Sequence, residues 1–312
     1  MRGRSRVDRS HLVARLNKYK LVYLLILPAV LGVLAFSYVP MLGISMAFKN
    51  YRLGTGFWGV FTSPGVGWAN FRTLFSSFYF WRILRNTVLI SLYKMIFTFP
   101  APIILALCLN ELRARRFKRV VQTVSYLPYF LSSVIIQGLV LAVFSPTYGL
   151  LNGLRELIGT PVHHYLADER YFRGIIVGID VWQGMGWGAI IYLAAIAGID
   201  PEQYEAATID GAGRFRQAWS VTLAGISDII ILLFILRVGD VLNAGFEKIF
   251  LLYSPPVYSV GDIIDTYAYR EGLINSNFGF ATAVGLFKSV VGFALILVTN
   301  RAANRFGRQG IW

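Results

Sequence analysis

The chain has 312 residues, 56% of them hydrophobic and 15% charged, with a formal net charge of +14. That apolar share is far above what a soluble domain of this length carries. Its single cysteine excludes a disulfide framework, and the placement of its basic residues, beside apolar runs, argues against a nucleic-acid-binding face.

In chain order, residues 1–20 carry seven Lys/Arg against Asp8 alone, and the stretch from Leu21 to Phe48 then runs 28 residues without a charge. The apolar core of a cleavable signal peptide covers only about 7–15 residues, so the run reads as a retained span. Hydropathy places six spans at 21–47, 83–109, 121–144, 174–199, 220–243 and 281–300, each long enough for a tilted helix. The predicted fold is therefore an all-α integral membrane protein. Its division is a basic segment at 1–20, a transmembrane domain at 21–304 containing a loop at 200–219, and a short tail at 305–312. Segments 1–20, 110–120, 200–219 and 301–312 hold 17 Lys/Arg in 63 residues, against nine in 101 for 48–82, 145–173 and 244–280. The basic set belongs inside, which puts both termini and the 200–219 loop in the cytoplasm. The outer segments are rich in aromatics, Gly and Pro, as an interfacial belt or a receptor platform would be.

Pro100, Pro102 and Pro128 predict kinks within spans two and three. Gly174-x-x-x-Gly178 and Gly184-x-x-x-Gly188 predict close helix approach along span four, and Cys108 reads as a packing residue. Lys94, Asp180, Asp228, Arg237, Asp240 and Lys288 fall inside spans, where each charge costs about 2.5–3.5 kcal/mol unless paired or wetted. Arg237 and Asp240, three apart, are placed to pair along one helix. Asp180 reads as lying near the outer interface and Asp228 near the inner one. Structural pairing is the favoured reading of this set over translocation.

The 200–219 loop is water-loving sequence between two spans. Asp200 is placed to cap a helix, Pro201 suits its first position, and Gln203 would complete a capping box. Ala206 and Ala207 keep the helix slim, and Asp210-Gly211 ends it in a turn. Phe215 and Trp219 share one face of a second helical stretch. There is no G-x-x-x-x-G-K-[ST] loop for ATP, no H-E-x-x-H and no Cys/His ligand spacing; His163-His164 reads as a solvated pair.

Glu205-Ala206-Ala207, Asp210-Gly211-Ala212 and Trp219 resemble the cytoplasmic motif of binding-protein-dependent ABC importer permeases. Ala224 and Trp219 depart from the proline and phenylalanine usual there and are expected to soften the bend into span five. Leu27-Pro28, Tyr38-Val-Pro-Met-Leu-Gly43, Ala47-Phe-Lys-Asn-Tyr51, Asn86-Thr87 and Phe99-Pro-Ala-Pro-Ile-Ile-Leu-Ala-Leu107 resemble the polysaccharide-type branch of the sugar permeases. So do Phe117-Lys-Arg-Val-Val-Gln-Thr123, Ser125-Tyr-Leu-Pro128, Asp265-Thr-Tyr-Ala-Tyr-Arg270 and Ala281-Thr-Ala-Val-Gly-Leu-Phe287. The resemblance implies a non-enzymatic, multi-pass permease of a bacterial plasma (inner) membrane. It also implies a second homologous permease, two ATPase subunits that hold ATP and Mg, and an external solute-binding protein that delivers oligosaccharides or polysaccharide fragments. No cofactor is expected in this chain.

On that resemblance Glu205, Ala206, Ala207, Asp210, Gly211 and Ala212 form a coupling helix docked in an ATPase. Aromatic faces and amides suit sugars, so Trp182, Gln183, Trp187 and Tyr192 are candidates for a substrate path. The rival readings are a permease for another small solute and an ion-coupled secondary transporter. The second would need repeated halves and intramembrane acids such as Asp180 and Asp228.

Overall fold

The computed structural model of the protein describes residues 18–305. The basic segment expected at 1–20 lies outside it except for its last three residues, as does the tail beyond Arg305. Apart from one isolated Lys49–Gly65 bridge, the described residues form helices, turns and irregular connections. In chain order the principal helices are α1 (Lys20–Phe48), α2 (Phe80–Glu111), and α3 (Arg115–Phe130) bent by 107° into α4 (Ser133–Phe144). Then come α5 (Glu169–Ala197), α6 (Pro201–Ile209), α7 (Arg214–Leu223) bent by 62° into α8 (Ser227–Gly239), α9 (Phe246–Leu252) and α10 (Phe278–Arg305). Helices α1, α2, α5 and α10 are each long and apolar enough to cross a membrane, and the two bent pairs raise the count to as many as six.

These elements coincide with the apolar segments read from hydropathy. Large side chains such as Leu25, Phe36, Phe130 and Val298 face outward along them. Water would not tolerate so much continuous apolar surface, whereas hydrocarbon does. The chain is thus a multi-pass helical membrane protein. The Lys20–Tyr38 part of α1 has no buried residue, and the helix joins the bundle only through its last turns. There Ala47 packs with Phe71 and Ala283.

Three further apolar clusters hold the bundle. Ile90, Ile136, Phe172, Ile176 and Ile249 join α2, α4, α5 and α9. Phe80, Ile83, Leu242, Phe280 and Val284 join α2, the end of the α8 segment and α10. Ile103, Ala106, Ala189, Tyr192, Ile196 and Ile226 join the second half of α2 to α5 and α8. At one end of the bundle, two motifs far apart in sequence meet. Asn86 donates to the carbonyls of Ser259 and Asp262 at 3.0 and 3.1 Å and accepts from Arg173 at 2.8 Å. Thr87 accepts the Ile264 amide at 3.0 Å. The buried Asp262 carboxylate in turn accepts from Thr266 and Arg270, each at 2.7 Å. Burial disfavours the Arg270 charge, but this bond and the Asp262 charge outweigh it and leave the pKa above the ordinary arginine value.

The expected kinks are present, with local causes. Pro100 opens the second half of α2 at its first helical position, where its missing N–H costs nothing. Pro128 sits in the 3-10 turn that ends α3, and the chain breaks at Leu131 and Ser132 before Ser132 caps α4. The small-residue expectation needs correcting. Gly174, Gly178 and Gly184 face open space, and of the four only Gly188 packs closely, against Pro102. The tightest approach on α5 is at Gly186, where an added Cβ would stand 1.9 Å from the Ser125 carbonyl oxygen. A four-residue spacing identifies a small face but not which neighbour meets it. Cys108 also differs from expectation: it faces outward from α2 rather than packing inside.

Gly186→Val should therefore force α3 away from α5 and destabilise the purified protein by about 1–3 kcal/mol, read as a lowered melting temperature in detergent. Gly174→Val, on the open face, should leave the isolated chain's melting temperature unchanged.

Candidate functional site

Two features stand out, one just beyond the end of α5 and one beside its middle. The first is α6, which follows α5 after only three residues. Asp200 accepts the Glu202 amide at 3.0 Å and Pro201 occupies the first position. Gln203 does not close the expected capping box; the Asp200 carboxylate bonds one residue earlier, and Gln203 is left exposed. At the other end Gly211 has φ +76°, which an L side chain rarely adopts. The Ala212 amide bonds the Ala207 carbonyl at 2.9 Å and the Gly211 amide that of Thr208 at 3.0 Å, a Schellman ending.

This helix is displayed, not buried. Glu205, Ala206, Asp210 and Gly211 are exposed and Ala207 and Ala212 half-buried. Ile209, which the sequence reading passed over, is 86% exposed on the same short helix. Its mounting is firm. Tyr204 shares a hydrogen bond with Thr222 at 3.0 Å, and Gln217 donates to Thr208 at 3.0 Å and to the Ala212 carbonyl at 2.9 Å. Arg214 pairs with Glu111 at 3.7 Å, tying the loop to the end of α2. Phe215 and Trp219 project outward from α7. The bend that follows is not softened by Ala224. A π-helical stretch over Ala218–Leu223 and a close approach of Gly225 to Ile199 accompany a 62° turn without proline.

The second feature is a polar cavity of about 400 Å³ beside the middle of α5. It lies where three elements lose regular hydrogen bonding: the Thr98–Phe99 break in α2, the break between α3 and α4, and the turn after α8. Irregular backbone among apolar helices needs new partners, and the cavity supplies them. Gln183, the middle residue of the 29-residue α5, donates to the freed Leu131 carbonyl at 3.2 Å. Lys94 donates to the Ala244 carbonyl, next to Gly245 at φ +89°.

Lys94, Asp180 and Lys248 form one ion cluster, with side-chain exposures of 5%, 12% and 19%. Asp180 is therefore not an interface residue: each of its oxygens takes one lysine. Lys248 was assigned to an outer loop by hydropathy alone, so its role was invisible in the sequence. Arg237 and Asp240 also line the cavity, yet they do not pair with each other as their spacing suggested. Asp240 caps the helix that ends at Gly239, and both side chains face the cavity without meeting. Lys288 pairs with Asp265 instead.

The substrate-path candidates separate. Gln183 lines this cavity, and Tyr192 lines an adjoining one of about 360 Å³ that shares Thr98, Arg237 and Asp240. Trp187 stacks on Tyr129 at 4.8 Å and 6°, and Tyr129 forms the cavity wall. Trp182 faces away, into two apolar grooves on the outside of α5. Elsewhere, His163 is not solvated like its neighbour His164. It is half-buried, 3.0 Å from Asp168 and in ring contact with Tyr165 and Tyr171.

Residues 98–308 match the family model described as the binding-protein-dependent transport system inner membrane component. The chain belongs to this family. It is a transmembrane permease component of an ABC importer and not an enzyme, since the ATPase of such importers resides in separate subunits. It is 44% identical over 301 residues to protein LplB of Bacillus subtilis (strain 168), covering 96% of this chain and 93% of the relative. It is 42% identical to the polygalacturonan/rhamnogalacturonan transport system permease protein YteP of the same organism, covering 97% and 94%. Among solved structures it superposes with TM-score 0.86 and 38% identity on a chain of a bacterial alginate ABC transporter in complex with alginate pentasaccharide-bound periplasmic protein, covering 96% and 99%. The ion-coupled alternative loses its support, because Asp180 is held between two lysines.

Asp180→Leu should leave both lysines without their counter-ion and cost about 3–5 kcal/mol, measured by thermal unfolding in detergent. Lys94→Met combined with Asp180→Leu should recover much of that loss, because the buried cation and its desolvation go together.

Proposed function

We propose that the chain crosses a bacterial plasma membrane six times with both termini inside, and that α6 seats in a cleft of an ATPase subunit. The observation that carries this reading is the firm mounting of an exposed, slim helix directly on α5, the helix that also walls the charged cavity. Glu205 makes charge-assisted contacts to basic residues of the ATPase, Ile209 adds an apolar contact, and Gly211 sets the turn. The assembly contains a second homologous permease, two ATPase subunits that hold ATP and Mg, and an external solute-binding protein.

ATP binding closes the ATPase pair, and α6 carries the motion into α5 and α8. The cavity then opens outward to receive cargo, and hydrolysis returns it inward. The coupling requires only that ATP and the permease favour the same global state. The cargo is an oligosaccharide or polysaccharide fragment, in keeping with the polygalacturonan/rhamnogalacturonan and alginate transport named for the relatives. Gln183, Trp187 and Tyr192, with Tyr129 added, border its path; Trp182 lies outside it.

Co-expression with the partner subunits tests this reading. Glu205→Lys should lower the ATPase recovered with the tagged chain by about tenfold or more while the chain's own melting temperature stays unchanged. Full ATPase recovery and undiminished ATP-dependent uptake with that variant would overturn the docking assignment.

A further inference from the structure

We propose that the cavity selects for a sugar carboxylate, read chiefly by Arg237 with Lys248 beside it, so that uronate-containing fragments are preferred over neutral ones of the same length. The proposal rests on the saccharide-import reading above. An ionisable group at membrane depth is costly and is retained when it is paired or used. Lys94, Asp180 and Lys288 are paired. Arg237 is half-buried and makes neither an ion pair nor a side-chain hydrogen bond among the described residues. It stands close enough to Lys94 to repel it. Its planar fork of donors fits a carboxylate in a bidentate manner.

The remaining charges are arranged by depth. The Lys94–Asp180–Lys248 cluster holds two cations for one anion and is largely buried. Lys94 spends two of its three donors on Asp180 and the Ala244 carbonyl, whereas Lys248 spends one on Asp180 and keeps two for a ligand. The balancing acids, Asp240 and Glu247, are exposed, and Ser133 already donates to Glu247 at 2.7 Å. Asp240 and Glu247 line the same cavity, but they are exposed and screened by solvent, whereas Arg237 and Lys248 are half-buried, so the attraction for an anion centres on those two cations. The amino end of α4 faces the same space through Ser133 and adds to that field. The stacked Tyr129–Trp187 pair offers an apolar wall for a pyranose face, and the Gln183 amide and Asn243 can bond its hydroxyls. Charge and stacking together describe a uronate better than a neutral sugar or a small inorganic anion.

The test uses the complete transporter in proteoliposomes, with its binding protein saturated by each of two probes, trigalacturonate and its fully methyl-esterified form. Saturation removes the binding protein's own preference, so the ratio of uptake per ATP hydrolysed reports the permease. Wild type should favour the acid, and Arg237→Gln should lower the acid-to-ester ratio by about tenfold or more. Lys248→Gln should lower it less, and Arg237→Lys should keep most of it. Because a ratio is read, partial loss of assembly in a variant does not obscure the result. Equal handling of acid and ester by wild type, or a ratio unmoved by Arg237→Gln, overturns carboxylate selection while leaving sugar import standing. No uptake of either probe together with no stimulation of ATP hydrolysis by loaded binding protein overturns the saccharide reading itself and the selection with it.

Discussion

The ion cluster of Lys94, Asp180 and Lys248 is the constraint around which the rest of the bundle is arranged. Three charges from α2, α5 and α9 meet at the centre of an apolar assembly, and none is affordable there alone. Their meeting fixes how α5 rotates about its axis and which faces of α2 and α9 turn inward. The breaks near Thr98 and Leu131, set locally by Pro100 and Pro128, and the turn at Asp240 lie beside the cluster and border the polar cavity whose lining satisfies part of the freed backbone. Gln183 bonding the Leu131 carbonyl and Lys94 bonding the Ala244 carbonyl are two instances of that repair.

The cavity and the exposed α6 helix are linked by geometry. Helix α5 runs from the network around Asn86 and Asp262, past the cavity, to Ala197, and α6 begins at Pro201. The braces Tyr204–Thr222 and Gln217–Thr208 join α6 to α7, and Arg214–Glu111 joins α7 to α2. A displacement of α6 therefore moves helices on both sides of the cavity together. Interfaces of this kind switch between discrete packings instead of deforming smoothly, which is what a transport cycle needs.

Among the described residues no side chain of Lys20–Tyr38 in α1 is buried, and the grooves beside Gly174, Gly178 and Trp182 are likewise open. Small residues on an uncovered face mean that the four-residue spacing recorded a surface and not an internal contact. Membership of a binding-protein-dependent importer family makes the chain one component of a larger assembly.

The sequence by itself determined the class, the apolar segments, and the bounds and ending of α6. These are local properties: hydrophobic runs, an Asp-Pro start, and a glycine whose positive φ ends the helix within its own four neighbours. It also carried the family resemblance, because motifs are read in order along the chain. Tertiary structure decided which charges meet and which side chains share a space. Asp180 and Lys248 lie 68 residues apart, and no helical spacing relates them. Arg237 and Asp240 stand three apart and line one cavity, yet they do not pair. Trp182 and Gln183 are consecutive, yet successive residues on a helix point about 100° apart, so one faces the groove and the other the cavity. Hydropathy records how apolar a segment is, but not the direction in which each of its side chains turns, and the site depends on that direction.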